Sequence, residues 1–229
     1  MIRAVLFDLG GTLDGGVHWL DRFLALYFDL GIELPREAIR QAFDAAELRS
    51  TTDPEIAETN LAGMVALHVQ WQFEHLRLTD PKLQERLVEK FVPPMKVAAA
   101  ANRQLLADLI TLGFQLGVVS NGCGNVAKLC ADFGFAPYLS VTIDSRRVGL
   151  FKPDPAIYIH AAEAIGRETE TILMVGDSFA RDVRPAKAVG MKTAWLEAGD
   201  PDQCFEPALV DFRLRELGDL REILHSEKA

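Results

Sequence analysis

A chain of 229 residues, of which 49% are hydrophobic, can form one large domain or a medium domain with a smaller insertion. Its net charge of −9 argues against an extended nucleic-acid surface, although a local basic pocket can still bind a small anion. We find no apolar run long enough to cross a bilayer and no signal-peptide pattern at the start. The three cysteines, Cys123, Cys130 and Cys204, lack metal-ligand or disulfide-framework spacing. We therefore expect a soluble, cytoplasmic protein.

The first predicted element is a short buried strand, Ala4–Phe7, which is followed directly by Asp8. The apolar run is too short for an independent helix. Gly10 and Gly11 come next, and glycines allow a sharp turn and close approach of the backbone to a ligand. A carboxylate at the end of a buried strand is common at the ligand sites of open α/β sheets.

Residues 15–93 show helical periodicity and no convincing strand pattern. We expect four helices, at about residues 20–30, 36–48, 54–76 and 81–91. Pro93 and Pro94 should end the fourth helix, because proline disfavours the helical conformation at the residue before it. This part is therefore predicted to be an all-helical insertion.

Helices and strands alternate after Val97, beginning with a predicted helix at residues 98–112. Strands are predicted at residues 114–119, 138–144, 171–175, 192–196 and 209–214, and a helix closes the chain. This alternation predicts an α/β fold with a doubly wound, mostly parallel, Rossmann-like sheet. We predict a core of residues 1–14 and 94–229, with the helical unit of residues 15–93 inserted after the first strand.

Four polar clusters lie at or just beyond the C-terminal ends of predicted strands: residues 8–12, Ser120-Asn121, Lys152 and residues 176–182. Ligands bind along that edge of a doubly wound sheet. Asp8, Asp177 and Asp182 would repel one another there unless a cation lay among them. A small set of hard oxygen ligands suits Mg²⁺, which keeps several waters and also binds substrate phosphate. Lys152 and Ser120 offer a positive charge and a hydroxyl for anionic oxygens.

Taken in order, these clusters resemble the four motifs of the haloacid dehalogenase-like hydrolases. Those motifs are an Asp-initiated loop, a Ser or Thr, a Lys, and a GDxxxxD-type acidic loop. The matching residues are Asp8-Leu9-Gly10-Gly11-Thr12-Leu13, Ser120, Lys152 and Gly176-Asp177 to Asp182. The helical insertion is similar to the family's C1 cap, so the resemblance covers residues 2–196.

The resemblance implies a Mg²⁺-dependent hydrolase, in particular a phosphatase of a small phosphorylated metabolite. Asp8 would be the nucleophile that forms an aspartyl-phosphate, with Lys152 as the second catalytic residue. The phosphate ligands it implies are Thr12, Ser120, Asn121 and Lys152. The metal ligands it implies are Asp8, the Gly10 carbonyl, Asp177 and Asp182. The net charge of −9 and the lack of a membrane-length apolar run argue against nucleic-acid and membrane partners, and the sequence does not indicate an oligomeric state.

Gly10 departs from the pattern of the family's phosphatases, which carry there a second Asp that acts as general acid and base. Glycine can neither protonate a leaving alkoxide nor activate water, a contribution of about 10²–10⁴-fold. Slow turnover, or a catalytically silent phosphate-binding protein, would both be compatible with this substitution. Asp14 is a candidate substitute acid, although an Asp there more often fixes the loop or the entrance of the cap.

Two other branches of the family also lack this second Asp. Dehalogenases need no metal and usually lack the full acidic loop, which is intact here at residues 176–182. Phosphonatases keep Mg²⁺ but need a cap lysine, and the candidates Lys82, Lys90 and Lys96 lie late in the insertion or beyond it. The intact acidic loop favours phosphate over halide.

Four cap residues are candidates for facing the site: Trp19, His68, Trp71 and His75. The spacing of His68, Trp71 and His75 would allow them to share one helical face. The alternative is that the apolar members belong to the core of the cap and the histidines are partly exposed.

Overall fold

The computed structural model describes residues 1–15, 17–197 and 206–227, so Cys204 lies outside the described residues. Six strands form one sheet: β1 (Ala4–Phe7), β2 (Gln115–Ser120), β3 (Val141–Asp144), β4 (Ile172–Gly176), β5 (Lys192–Leu196) and β6 (Phe212–Leu214). They are ordered β3-β2-β1-β4-β5-β6, and every neighbouring pair is parallel. The predicted doubly wound parallel sheet is confirmed.

Strand β1 lies in the middle of this sheet and is buried on both faces. Its side chains alternate, so that Val5 and Phe7 belong to one apolar cluster while Ala4 and Leu6 belong to another. Phe7 lies opposite Val118 of β2 and Val175 of β4. The register therefore brings the C-terminal ends of these three strands to the same edge.

Nine α-helices surround the sheet or form the insertion in the described part of the chain. They are α1 (Trp19–Asp29), α2 (Arg36–Ser50), α3 (Leu61–Leu76), α4 (Pro81–Thr111), α5 (Val126–Asp132), α6 (Ser145–Val148), α7 (Ala156–Ile165), α8 (Arg184–Ala188) and α9 (Leu220–Ser226). Helix α3 begins later than predicted, because the Asn60 side chain accepts a hydrogen bond from the Gly63 amide and caps the helix there. Among the described helices, none combines the length and apolarity needed to span a membrane.

The prediction that Pro93 and Pro94 end a helix is wrong, because α4 continues through both. Both prolines face solvent, as do Glu89 and Lys90, whose carbonyls lose their helical partners. Water can hydrate those carbonyls, and the buried face of α4 continues on either side of the prolines, through Leu87, Phe91, Met95, Ala99 and Leu105. Packing thus outweighs local preference, and the predicted boundary between residues 93 and 94 falls inside one helix.

The helical insertion is held against the sheet by polar contacts as well as by packing. Arg146, in α6, donates hydrogen bonds to the carbonyls of Ser50 at 3.4 Å, Thr52 at 3.2 Å and Asp53 at 2.9 Å, where α2 ends. A cation at these carbonyls complements the negative end of the helix dipole. The end of α2 is thereby fixed beside the C-terminal edge of the sheet.

Candidate active site

The four polar clusters meet at the C-terminal edge of the sheet. Asp8 follows β1, Ser120 is the last residue of β2, and Asp177 follows β4. Lys152, from the connection between α6 and α7, and Asp182, which ends the acidic loop, complete the group. All five line one cavity between the sheet edge and the helical insertion.

Lys152 is the central cation of this group. Its Nζ lies 2.7 Å from Asp8 Oδ1 and 2.7 Å from Asp182 Oδ1, and the lysine side chain is only 2% exposed. Burial opposes the charged form of Lys152, but the carboxylates of Asp182 and Asp8 outweigh it and raise the lysine pKa. The ammonium therefore stays charged beside Asp8.

Three carboxylates surround the lysine, and single oxygens of Asp8, Asp177 and Asp182 lie within 4.8 Å of one another. Burial raises the pKa of Asp8 to about 7, and the charges of Asp182 and Asp177 act in the same direction against Lys152. Burial, followed by the charge of Asp182, raises the pKa of Asp177 to about 6. The single positive charge of Lys152 therefore does not balance the negative charges of the three carboxylates.

The donor set fits a magnesium ion. The cluster offers hard carboxylate oxygens, which are the ligands that Mg²⁺ prefers, and the shifted pKa values of Asp8 and Asp177 show a demand for further positive charge. The Asp182 oxygens already accept hydrogen bonds from Lys152 Nζ at 2.7 Å and the Ser178 amide at 3.0 Å. Asp182 can therefore position other groups as well as a metal.

The loop after Asp8 contains two neighbouring glycines in different situations. Gly11 has a φ of +79°, and a Cβ on it would lie 2.5 Å from Asp177 Oδ2, so only glycine fits. Gly10 has a φ of −75°, and a Cβ there would meet nothing within 4 Å. The backbone needs a glycine at position 11, whereas position 10 has space for a side chain.

Two of the predicted phosphate ligands contact the site's other residues. Thr12 is buried, and its hydroxyl donates to Asp177 Oδ1 at 3.3 Å. The Asn121 side chain holds the Lys152 backbone, accepting from its amide at 2.8 Å and donating to its carbonyl at 2.9 Å. Thr12 therefore supports the acidic cluster and Asn121 fixes the lysine, while direct phosphate contact by either stays a prediction.

Asp14 connects the loop after Asp8 to α1, the first helix of the insertion. Its Oδ1 accepts from the Gly11 amide at 2.7 Å, and its Oδ2 accepts from Trp19 Nε1 at 3.0 Å. Burial raises its pKa to about 6, although both hydrogen bonds favour the ionised form. Because both carboxylate oxygens accept hydrogen bonds, Asp14 holds the loop after Asp8 against the start of the insertion. This agrees with the expectation that Asp14 fixes the loop or the entrance of the insertion.

The cap side of the cavity differs from the candidates drawn from the sequence. Of these, only Trp19 lines it, and the expectation that His68 is partly exposed is wrong because that ring is completely buried. Trp71 is also buried, whereas His75 is exposed, so these three do not share one face. The candidate lysines Lys82, Lys90 and Lys96 are exposed and do not line the cavity.

Several residues that line the cavity on the side of the insertion were missed by sequence reasoning, among them Phe43, Glu47 and Asn125. Phe43 and Glu47 are four residues apart on α2, where a charged residue follows an otherwise apolar stripe. That interruption is the one signal that could have indicated Glu47. Asn125 follows a glycine-rich turn and carries no comparable signal.

Comparison with known proteins agrees with this geometry. The sequence matches the haloacid dehalogenase-like hydrolase family over residues 2–190. The chain belongs to this family. It is thus an enzyme of the haloacid dehalogenase-like hydrolase type, as its four motifs predicted.

Relatives within the family include phosphatases. The chain is 33% identical over 212 residues to glyceraldehyde 3-phosphate phosphatase of Methanopyrus kandleri, covering 87% of this chain and 85% of that one. It is 33% identical over 127 residues to phosphoserine phosphatase of Thermus thermophilus, covering 53% of this chain but only 48% of that relative. The solved structure of a phosphatase of this family from Thermococcus onnurineus is 26% identical, covers 97% and 98% of the two chains, and has a TM-score of 0.56.

Proposed function

We propose that this hydrolase is a Mg²⁺-dependent phosphatase that acts on a small phosphorylated metabolite through an aspartyl-phosphate on Asp8. The observation that carries the proposal is the contact of 2.7 Å between the buried Lys152 ammonium and Asp8, beside an intact acidic cluster. A buried cation beside a carboxylate nucleophile suits an anionic substrate, because it can stabilise the phosphoryl oxygens. The phosphatase relatives support the same chemistry.

In this mechanism one residue attacks the phosphorus and the others stabilise the charge of the phosphoryl group. Asp8 attacks phosphorus, its oxygen forms the new P–O bond, and the ester oxygen leaves with the electron pair of the broken bond. Lys152 and the Ser120 hydroxyl hold the phosphoryl oxygens. Water then attacks the phosphorus of the aspartyl-phosphate, the bond to the Asp8 oxygen breaks, and inorganic phosphate leaves as the carboxylate is regenerated. The proton that the water loses to solvent balances the one that the leaving alkoxide takes from solvent. Asp8, the Gly10 carbonyl, Asp177 and Asp182 would hold Mg²⁺, which supplies positive charge against the developing negative charge.

Gly10 supplies no side chain to protonate the leaving group, so alkyl esters should react slowly. A leaving group that departs as a stabilised anion needs little protonation, and an aryl phosphate should therefore be the better substrate. The open space at position 10 supports the idea that Gly10→Asp is sterically tolerated. We expect this substitution to raise kcat for an alkyl phosphate by about 10²-fold and to change aryl phosphate turnover much less.

The decisive experiment is hydrolysis of p-nitrophenyl phosphate with Mg²⁺ by the native protein and by Asp8→Asn. We expect Asp8→Asn to fall to the background rate, since an amide cannot act as the nucleophile. A matched control is Asp44→Asn, an exposed change on α2 outside the cavity. Equal rates for native protein and Asp8→Asn would remove the nucleophile assignment.

A catalytically silent phosphate-binding protein is the second candidate, and Gly10 is the observation that favours it. It predicts binding of Mg²⁺ and phosphate without turnover of any ester, including the aryl phosphate. The dehalogenase alternative predicts halide release from a 2-haloacid in the presence of EDTA. A native protein that hydrolyses p-nitrophenyl phosphate only with Mg²⁺ would exclude both.

Three further assignments belong to this proposal. They are the division into a core of residues 1–14 and 94–229 with a C1-type cap of residues 15–93, the role of Gly10 in place of the second Asp, and a cytoplasmic location. The cavity between cap and sheet edge supports the first, because both units contribute lining residues.

A further inference from the structure

Glu47 is an acidic residue on the cap side of the cavity, away from the acidic cluster in sequence and in the fold. It lies on α2, lines the cavity and keeps about half of its side chain exposed, at 49%. Its Oε1 lies 3.0 Å from His68 Nε2. No hydrogen bond involving Oε2 occurs within the described residues, so that oxygen is available to a ligand.

A chain of buried hydrogen bonds fixes this carboxylate. The Tyr27 hydroxyl donates to Gln72 Oε1 at 3.2 Å, which leaves the Gln72 amide nitrogen to donate to His68 Nδ1 at 2.8 Å. His68 must then carry its proton on Nε2, from which it donates to Glu47. The His68 ring is also stacked on Phe23 at a centroid distance of 5.3 Å. The relay therefore holds Glu47 at the cavity wall as a hydrogen-bond acceptor.

Asn125 provides a second acceptor in the lining of the same cavity. Its side chain is 1% exposed, and its Nδ2 donates to the carbonyl and hydroxyl oxygens of Thr59 at 3.4 Å. Among the described residues, its Oδ1 has no hydrogen-bond partner. Native proteins keep few buried acceptors unpaired, so this oxygen points to a donor that arrives with a ligand.

Besides Glu47, the residues of the insertion that line the cavity are His18, Trp19, Phe43 and Met64, so the described lining on this side contains no Lys or Arg. Lys152 and Arg181, the cations in the described lining, both belong to the sheet edge where phosphate would bind. A leaving group reaching the cap would therefore meet acceptors and aromatic rings. This environment favours a positively charged donor and disfavours a carboxylate.

We propose that Glu47 and Asn125 form a leaving-group subsite, and that the enzyme prefers phosphate monoesters of amino alcohols to those of hydroxy acids. This inference rests on the proposed function, because it assumes that the phosphoryl group binds at Lys152. Glu47 and Asn125 bind the ammonium group, and the relay from Tyr27 to His68 positions Glu47. A neutral hydroxyl in the same place would bind with intermediate affinity.

The test uses three esters of similar size, namely 2-aminoethyl, 2-hydroxyethyl and carboxymethyl phosphate. Their dissociation constants are measured by calorimetry with Mg²⁺ in the Asp8→Asn protein, so that binding is independent of turnover. We expect binding to weaken in the order given, with about 10-fold or more between the first and the last. Adding Glu47→Gln should reduce that ratio by about 10-fold, since a charge-assisted hydrogen bond is lost.

The matched control is Glu37→Gln, which removes an exposed carboxylate from the same helix outside the cavity and should leave the ratio unchanged. Equal affinities for the three esters, or a ratio that Glu47→Gln does not alter, would overturn the subsite. Turnover of p-nitrophenyl phosphate by the native protein is read separately. If the native protein shows no turnover but the Asp8→Asn protein still binds the three esters with the expected ratio of affinities, the proposed phosphatase activity is contradicted and the subsite is supported.

Discussion

The two sides of the cavity are built in different ways. At the sheet edge, Asp8, Ser120 and Asp177 are placed directly by the ends of strands, and Lys152 joins them through ion pairs. On the cap side, Glu47 depends on a relay of side chains that spans α1, α2 and α3. Strand ends fix the groups proposed for phosphoryl transfer, whereas helix packing fixes the groups that meet the leaving group. A family can therefore keep one side while the other changes.

The largest effect should follow from Lys152→Met, at the sheet edge. It removes the cation between Asp8 and Asp182 and leaves two buried carboxylates without their partner. We expect aryl phosphate turnover to fall by about 10²–10³-fold and the free energy of unfolding by about 3–5 kcal/mol. Enzyme assay and urea unfolding measure these quantities.

Lys187→Met is the control for Lys152→Met, because Lys187 also pairs with a carboxylate, Asp211, but outside the cavity. It should cost less than about 1 kcal/mol, as partly exposed ion pairs do. Comparable losses in both variants would show that the edge of the sheet is not the more sensitive region.

Asp14, at the joint between the two sides, should make stability depend on pH. Its folded pKa of about 6 lies above the ordinary value of 3.8, so the folded state binds the proton more tightly. The contribution of Asp14 to stability is therefore complete below about pH 4 and is lost as the pH rises through 6. The loss should reach roughly 3 kcal/mol, and urea unfolding at several pH values measures it.

The comparison for this pH effect is Asp14→Asn, in which the carboxyl group no longer titrates. The stability difference between native protein and Asp14→Asn should shrink or reverse as the pH rises from 4 to 6. A difference that stays constant across this range would mean that Asp14 ionises in the folded state as it does in water.

Gly10 and Gly11, in the loop after Asp8, give a matched pair of substitutions. Gly11→Ala places a side chain at positive φ and within 2.5 Å of Asp177 Oδ2, so we expect a loss of about 2 kcal/mol in the free energy of unfolding. Gly10→Ala has open space and an ordinary φ, and it should change stability by less than about 1 kcal/mol. Urea unfolding of both variants checks the contrast, and equal losses would contradict it.

The smallest effect should come from Tyr27→Phe, at the far end of the cap relay. It leaves the buried Gln72 Oε1 without its donor, which should lower the free energy of unfolding by about 1 kcal/mol. Phe28→Leu, on the exposed face of the same helix, is the control and should be close to neutral. If Tyr27→Phe changes the free energy of unfolding as little as the control does, the hydrogen bond from Tyr27 to Gln72 does not contribute to stability.

The same contrast explains what could be predicted from the sequence. The sheet and its polar edge follow from short apolar runs with polar residues at their ends, and Asp8, Ser120, Lys152 and Asp177 meet as their order implied. The burial of His68 could not be inferred, because it depends on a ring stack with Phe23 and on partners from other helices. Long-range side-chain pairing leaves no periodic signal in the chain.

The continuity of α4 at the two prolines was also beyond local rules. Pro93 and Pro94 would end a helix by their own preference, and the buried face on the opposite side, which includes Phe91 and Met95, keeps it intact. Glu47 illustrates the same limit in the site. Its role depends on a cavity that forms only when α2 lies over the sheet edge.

Helix α4 has a mechanical consequence for the whole enzyme. It packs against α1 and α3 of the insertion at one end and against β2 and α9 at the other. One continuous helix is therefore shared by the insertion and the sheet region. A displacement of the insertion must carry this helix along or flex it. Flexing is easiest at Pro93 and Pro94, where two backbone hydrogen bonds are missing. The two prolines thus mark the hinge at which a movement of the insertion relative to the sheet would widen or narrow the entrance of the cavity.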